Sequence, residues 1–342
     1  MKKSVFAAST ALVLAFAPAV QAQEVTLTLS HWVPPVHTVD TLGMVPWAQS
    51  IAEESNGRIQ VDIYPAQQLG AAPDHYDMAR DGVVDISFIN PGYQAGRFPI
   101  IAAAELPFLV SNGTSASRAL HEWYTQYAEQ EMGDVHVCLV HLHEPGTFHA
   151  TRGPIAGPED FAGMNVRPPQ GTIARLIGNM GASPVQVPVP EMREILSSGG
   201  ADVTSGPWNS LRLFGVEDIV THHLDLPLYS VAFVWAINLD VYNNLSDENR
   251  AVIDNHCTSE WAERVSTPWA MQEREARPYF VETEGHTMYT PNAEQLAQWQ
   301  ELSQELRAEW ATNATAAGLA DPAAALADLE ARLVAADGAY QP

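Results

Sequence analysis

Beyond Lys3 the 342-residue chain contains no lysine, and fifteen arginines supply every remaining cation. Set against 41 Asp and Glu, those arginines leave a formal charge of −26 once the first 22 residues are put aside (15 − 41; the whole chain is −24). So acidic a surface repels phosphate backbones and anionic lipid, which excludes nucleic acid as a partner. It favours solubility, with salty surroundings as one setting that would reward it. Cysteine is equally scarce. Cys138 and Cys257 are the only two, so no paired spacing for zinc or dithiol chemistry exists. An exported chain can form a bridge, but Cys138 sits inside the apolar run Val135–Val140 and reads as a small core hydrophobe. There is no G-x-S-x-G turn to expose a serine nucleophile, no internal repeat and no low-complexity linker. After residue 22 no apolar run is long enough to span a bilayer.

What is present begins with an export signal. Lys2 and Lys3 precede an apolar stretch from Val5 to Ala19, and Val20-Gln21-Ala22 supplies small residues for cleavage. This reads as a secretory signal peptide cut after Ala22, which places the mature chain in the periplasm. The 320 residues that follow (342 − 22) exceed one typical core, so two domains are expected.

Elements alternate along the chain. Glu24–Ser30 alternates as a strand and runs into the loop His31-Trp32-Val33-Pro34-Pro35. A helix over Val45–Ser55 ends at Asn56-Gly57, and Arg58–Tyr64 is a second strand. A helix capped by Asp74, a strand over Val83–Asn90, a helix over Thr114–Met132 and a buried strand over Val135–Leu142 complete a first unit. Strands spaced by helices in this way predict a mainly parallel sheet. Glu144-Pro145-Gly146 punctuates the chain. Val231–Asn238 is an apolar run long enough to travel between units, and a long helix is expected over Asp247–Glu273. Further helices are expected from Pro291 to Ala311 and from Asp321 to Ala335.

Between Gly163 and Trp208 the pattern is strand, helix, strand, helix, strand, with Arg167 where the first strand ends. Pro168 and Pro169 cannot continue a sheet ladder, so the arginine emerges at the strand's carboxyl end. Ligands of open α/β sheets bind at such ends, and a fixed guanidinium there suits a carboxylate. A structural ion pair with a nearby acid is the plainer reading of the same residue.

With these segments in place the chain resembles the extracytoplasmic solute-binding proteins of tripartite ATP-independent periplasmic (TRAP) transporters, the DctP-type family. The likeness rests on GRIQVDIYPAQQLG (57–70) with DGVVDIS (81–87), GRFPIIAAAELPFL (96–109), GMNVRPP (163–169), GASPVQVPVPEMREIL (181–196) and the Asp202-to-Pro207 turn. The joint order of these pieces covers nearly the whole mature chain. The resemblance implies an α/β, two-lobe periplasmic-binding-protein (Venus-flytrap) fold, with crossing strands and a long helix spanning both lobes. Lobe I would comprise residues 23–145 plus 238–275, and lobe II residues 146–237 plus 276–342. It implies a protein that is not an enzyme and needs no cofactor. Such a protein closes on a small organic acid and delivers it to TRAP permease subunits in the membrane, here as a monomer. In the family the arginine of this strand end salt-bridges the ligand carboxylate, and Arg167 is its match. Where relatives carry an acid and a contact residue before the proline, this chain has Ser205 and Gly206. A second cation near Thr147 is missing. Both departures argue against a sialic acid or a dicarboxylate and toward a monocarboxylate.

Around that clamp, Trp208 and Asn209 follow the turn at another strand end, and His31 and Trp32 end the first strand. Tyr93 follows Asn90-Pro91-Gly92, and Phe148 and His149 follow the Gly146 crossing. Each is a candidate wall or hydrogen-bonding group, and the surplus of aromatics points to a flat or apolar ligand body. Packing beneath the lobe interface is the competing reading for all of them. Phe233 and Trp235, on the later crossing run, read as core. Two alternatives remain. His141 and His143 share one strand face beside Glu144, as a periplasmic metal-dependent enzyme would need, although no third distant ligand is evident. The chain would also fit a binding protein serving another transporter or a sensor.

Overall fold

A computed structural model describes residues 23–341 of the chain, so the expected signal peptide lies outside the described residues. The strands are β1 (Val25–Ser30), β2 (Ile59–Tyr64), β3 (Ile86–Ile89), β4 (Val135–Leu142), β5 (Thr147–Ala150), β6 (Asn165–Arg167), β7 (Ser183–Pro184), β8 (Val203–Gly206), β9 (His222–Leu224), β10 (Ala232–Asn238) and β11 (Thr287–Tyr289). They form two sheets, ordered β2-β1-β3-β10-β4 and β11-β9-β5-β8-β6-β7. β1 pairs in parallel with β2 and β3, and β6 with β7 and β8. β10 and β5 instead run antiparallel to their neighbours. The mainly parallel sheet expected from the sequence is therefore mixed, because a strand that crosses from one lobe enters the other sheet against its direction.

The crossing itself is a pair of segments lying side by side. Gly146 bridges Tyr229 in antiparallel fashion, with the Gly146 amide donating to the Tyr229 carbonyl at 2.7 Å. β10 belongs wholly to the first sheet, so the apolar run at 231–238 lies on the first-lobe side of this crossing rather than on the second. The helix Pro322–Ala335 also lies on the first lobe, where Trp123 Nε1 donates to the Ala325 carbonyl at 2.8 Å. The helix Ala293–Ala316 touches both lobes: it packs on Gly171–Asn179 in the second, while Trp310 Nε1 donates to the Pro99 carbonyl at 2.8 Å and Ser303 to the Pro107 carbonyl at 3.1 Å in the first.

The expected long helix is two. Asp247–Asn255 ends before a turn, and Thr258 caps a new helix over Ser259–Glu282 by accepting from the Trp261 amide at 3.3 Å. This second helix contacts both Gly113–Tyr124 in the first lobe and Trp208–Leu213 in the second. It contains Pro268 and Pro278, each of which removes a helical donor. The turn between the two helices is where Cys257 forms a disulfide with Cys138 of β4, Cα atoms 4.5 Å apart. Cys138 is buried, as a core residue should be, but it is not free. The apolar context that suggested a simple hydrophobe is real. Its partner 119 positions on could not be seen from that context.

Smaller differences have local causes. A π-helix over Val39–Met44 precedes the helix Val45–Glu54, and the expected Thr114–Met132 helix divides into Gly113–Tyr124 and Ala128–Met132. Asn56 and Gly57 follow the helix Val45–Glu54 at positive φ, as the sequence indicated.

Candidate functional site

β6 ends at Arg167, and Pro168-Pro169 turn the chain away, so the guanidinium lies beneath the lobe interface. It is 1 % exposed. Arg167 Nε donates to the Val187 carbonyl at 3.0 Å and Nη1 to the Ser205 carbonyl at 3.4 Å. The Ser205 hydroxyl donates back to the Arg167 carbonyl at 3.1 Å, which fixes β6 to β8. Nη2 has no partner, and among the described residues no carboxylate forms an ion pair with this arginine. The structural ion pair that was the plainer reading is not there. A buried cation with an idle donor costs several kcal/mol unless an anion meets it.

Arg167 lines a cavity between the lobes. Trp32, Asn90, Tyr93 and Phe233 come from the first lobe; Val189, Met192 and Phe214 come from the second, and Trp269 from the helix that spans both. Trp32 stacks on Phe88 with centroids 5.4 Å apart and lies 5.7 Å from Tyr93 and 6.2 Å from Phe233. Phe233 is in turn 5.1 Å from Trp269. This is a continuous aromatic wall. Trp32 Nε1 is a second buried donor without a partner. Of the lining side chains Arg167 carries the one formal charge, because burial pushes His37 down to about 3 and His143 down to about 4. Burial also raises the Tyr93 phenol, against the opposing pull of Arg167, so its hydroxyl stays protonated. The cavity measures about 50 Å³ as space open to the centre of a water molecule. That is room for a few waters at ~10–15 Å³ each, and it suits a small planar body.

The two lobes touch around this cavity. The Tyr93 hydroxyl accepts from the Val189 amide at 3.1 Å, Asn90 Nδ2 donates to the Pro169 carbonyl at 3.4 Å, and Thr172 donates to Glu105 at 3.1 Å. Burial raises Glu105 to about 8, so it is a neutral partner at this seam. Behind the cavity, buried Glu273 accepts from the Asn209 and Ser210 amides, from the Ser210 hydroxyl at 2.7 Å and from Trp269 Nε1 at 2.9 Å. The spanning helix is thereby tied to the turn after β8.

Of the residues singled out in the sequence, Arg167, Trp32 and Tyr93 meet at the cavity. The others do not line it. Trp208 packs on His149, His223 and Phe280, with centroids 4.9, 5.4 and 5.6 Å away, on the far side of the turn. Asn209 is held by its backbone to Glu273. His31 is fully buried, 3.5 Å from Asp40. Strand alternation sends Phe148 into the core against Phe161, 5.0 Å away, and His149 to the other face, where it bonds His223 at 2.8 Å. His141, half of the considered metal pair, accepts from Trp235 Nε1 at 3.0 Å. Among the described residues no group of three or more His, Cys, Asp or Glu could hold a metal ion. Phe233, read as core, is a cavity wall. Sequence reasoning also passed over Asn90, His37 and Trp269 as lining groups; Asn90, at the end of β3 before a proline, carried the same strand-end signal as Arg167.

A family model described as bacterial extracellular solute-binding protein, family 7, matches residues 29–313. A TRAP solute-binding protein from a marine metagenome, specific for aromatic acid ligands and solved with 3-hydroxybenzoate, is 32 % identical with a TM-score of 0.85; the match covers 92 % of this chain and 100 % of that one. A TRAP solute-binding protein from Rhodoferax ferrireducens, solved with copurified benzoate, is 30 % identical with a TM-score of 0.85, over 92 % of this chain and 98 % of that one. A third, from Bordetella bronchiseptica with bound (R)- and (S)-mandelate, is 31 % identical with a TM-score of 0.85, over 91 % and 99 %.

Proposed function

Because the chain belongs to the DctP family of bacterial extracellular solute-binding proteins, we propose that it captures an aromatic monocarboxylate between its lobes and hands it to a TRAP permease. One observation carries this reading: a single buried charge, Arg167 with Nη2 idle, sits at the edge of a cavity otherwise walled by aromatic and aliphatic side chains. One cation matches one carboxylate. The aromatic wall matches a flat body, and the similar proteins solved with benzoate, 3-hydroxybenzoate and mandelate support that choice of acid.

Arg167 grips the carboxylate, Trp32 Nε1 adds a donor, and Tyr93, Phe233 and Trp269 enclose the ring. Closure follows from differential affinity: the ligand bridges groups from both lobes, so it binds the closed state better than the open one. The lobes divide at the paired crossings near Gly146 and Tyr229, with residues 1–22 acting as the export signal for a periplasmic protein. Titration calorimetry with benzoate, mandelate, a sugar acid and a C4-dicarboxylate tests the reading. Micromolar or tighter binding of the aromatic acids alone is expected; preference for the dicarboxylate or the sugar acid would overturn it.

A further inference from the structure

Two imidazoles line the cavity, and the backbone assigns them opposite polarity. His37 Nδ1 accepts from the Val39 amide at 3.1 Å, so in the neutral ring the proton is on Nε2 and the free nitrogen is a donor. His143 Nδ1 faces the Glu144 carbonyl. A carbonyl can only accept, so Nδ1 carries the proton and Nε2 keeps its lone pair. That Nε2 has no hydrogen-bond partner among the described residues. The imidazole is otherwise held in place: its ring lies 5.9 Å from Phe233 and 5.8 Å from Trp269, and the Ser230 hydroxyl donates to the His143 backbone carbonyl at 2.6 Å.

The aromatic wall links the carboxylate clamp to His143. Tyr93 stands by Arg167; Trp32 follows it, Phe233 follows Trp32, and His143 follows Phe233, in steps of 5.7, 6.2 and 5.9 Å between ring centroids. Arg167 and Trp32 Nε1 supply donors for a carboxylate. Beside His143 the His37 ring, 4.8 Å from Trp269, sets a donor next to the free acceptor, and a hydroxyl can satisfy both.

We infer that His143 reads a hydroxyl on the ligand, so that the preferred solute is a hydroxylated aromatic acid with its O–H on the ring away from the carboxylate. The inference rests on the aromatic-acid reading above and narrows it. An acceptor buried among rings gains a partner when the ligand brings an O–H and is left without one when the ligand does not. Sites built in this way discriminate strongly against the analogue lacking the group. Imidazole suits the task because burial keeps it neutral at ordinary pH, with its lone pair available.

The test is calorimetry of the full-length mature protein with benzoate, 3- and 4-hydroxybenzoate and the corresponding methyl ethers. Wild type should bind one hydroxybenzoate about tenfold more tightly than benzoate, and the methyl ether, which keeps the oxygen but has no proton to donate, should lose that gain. His143→Leu should bind the hydroxybenzoate and benzoate with equal affinity, the ratio of the two constants being the readout. His143→Gln, which restores an acceptor, should recover part of the hydroxyl preference. A thermal melt of each variant checks folding, and the wild-type comparison of hydroxyl with methoxyl needs no variant. Benzoate and the hydroxybenzoates binding alike, or a preference that survives in His143→Leu, overturns this inference while leaving the aromatic-acid reading intact. Failure of every aromatic acid to bind overturns both.

Discussion

Gly92 of the first lobe faces Gln170 of the second so closely that a methyl group on it would overlap the Gln170 Cβ and lie 3.2 Å from its Cα. The contact sits beside the Tyr93–Val189 and Asn90–Pro169 hydrogen bonds, at the rim of the cavity. The neighbouring atoms are backbone and Cβ, which cannot swing aside as a side-chain tip would. Glycine here is required by proximity between lobes.

Gly92→Ala should therefore penalise the closed state and spare the open one. Overpacking of this kind costs about 1–3 kcal/mol, which corresponds to roughly 5- to 150-fold weaker ligand binding. Calorimetry with the cognate acid reads the loss, and the melting temperature without ligand should stay within a few degrees of wild type. Unchanged affinity would mean that the lobes bind ligand without reaching this contact.

Arg167→Ala should weaken binding by about 2–5 kcal/mol, roughly 30-fold to a few thousandfold, because the ligand carboxylate would be buried without its cation. Arg167→Lys should recover little of it. A lysine cannot keep the bonds that Arg167 Nε and Nη1 make to the Val187 and Ser205 carbonyls while also reaching the ligand. Near-wild-type affinity in Arg167→Ala would remove this residue from the site.

Why Arg167 was readable from sequence and Phe233 was not has a physical basis. Two prolines after a strand announce where the strand stops, and a charged side chain at that point stands where open α/β sheets bind their ligands. Trp32, Tyr93 and Asn90 carry the same strand-end signal. His143, one residue past β4, carries it too, although it was read as half of a metal pair. Phe233 and Trp269 line the cavity through a mid-strand position and the face of a spanning helix. Nothing local distinguishes those positions from core. The misplaced candidates fail for a related reason. Phe148 and His149 are on a strand that does pass near the site, but period-two alternation and sheet pairing aim one at Phe161 and the other at His223. Lobe assignment of β10 depended on which sheet receives a crossing strand, and an apolar run reads alike in either.

The Cys138–Cys257 bond closes a loop of more than a hundred residues between β4 and the turn before the spanning helix. In the chain-entropy account such a bridge stabilises by about 4–5 kcal/mol, and losses on removing native bridges run at about 2–5. Cys138→Ala with Cys257→Ala should lower the melting temperature by several degrees, and wild type in strong reductant should shift the same way. Ligand affinity should change little, because neither cysteine lines the cavity. A double variant that melts with wild type would show the bond to be energetically idle.

Stability should depend on pH with a maximum near neutrality. Burial holds His37 and His141 down at about 3, His121, His143 and His149 at about 4, and His223 at about 2, against 6.5 in the unfolded chain. Between 6.5 and those values the unfolded state binds more protons, so their contribution is present above about pH 6.5 and is lost as pH falls. Glu105 and Glu273 act in the opposite sense. Burial raises them to about 8 and about 7 from 4.5, so the folded state holds the extra protons and stability is lost as pH climbs through that window. Six imidazoles outweigh two carboxyls below pH 6, and near pH 7 the two contributions roughly cancel. Denaturant midpoints measured from pH 4.5 to 9 should rise steeply to about pH 7 and then fall gently. A midpoint that is flat or still rising toward pH 5 would mean that these imidazoles are protonated in the fold, and with them the His143 acceptor would be lost.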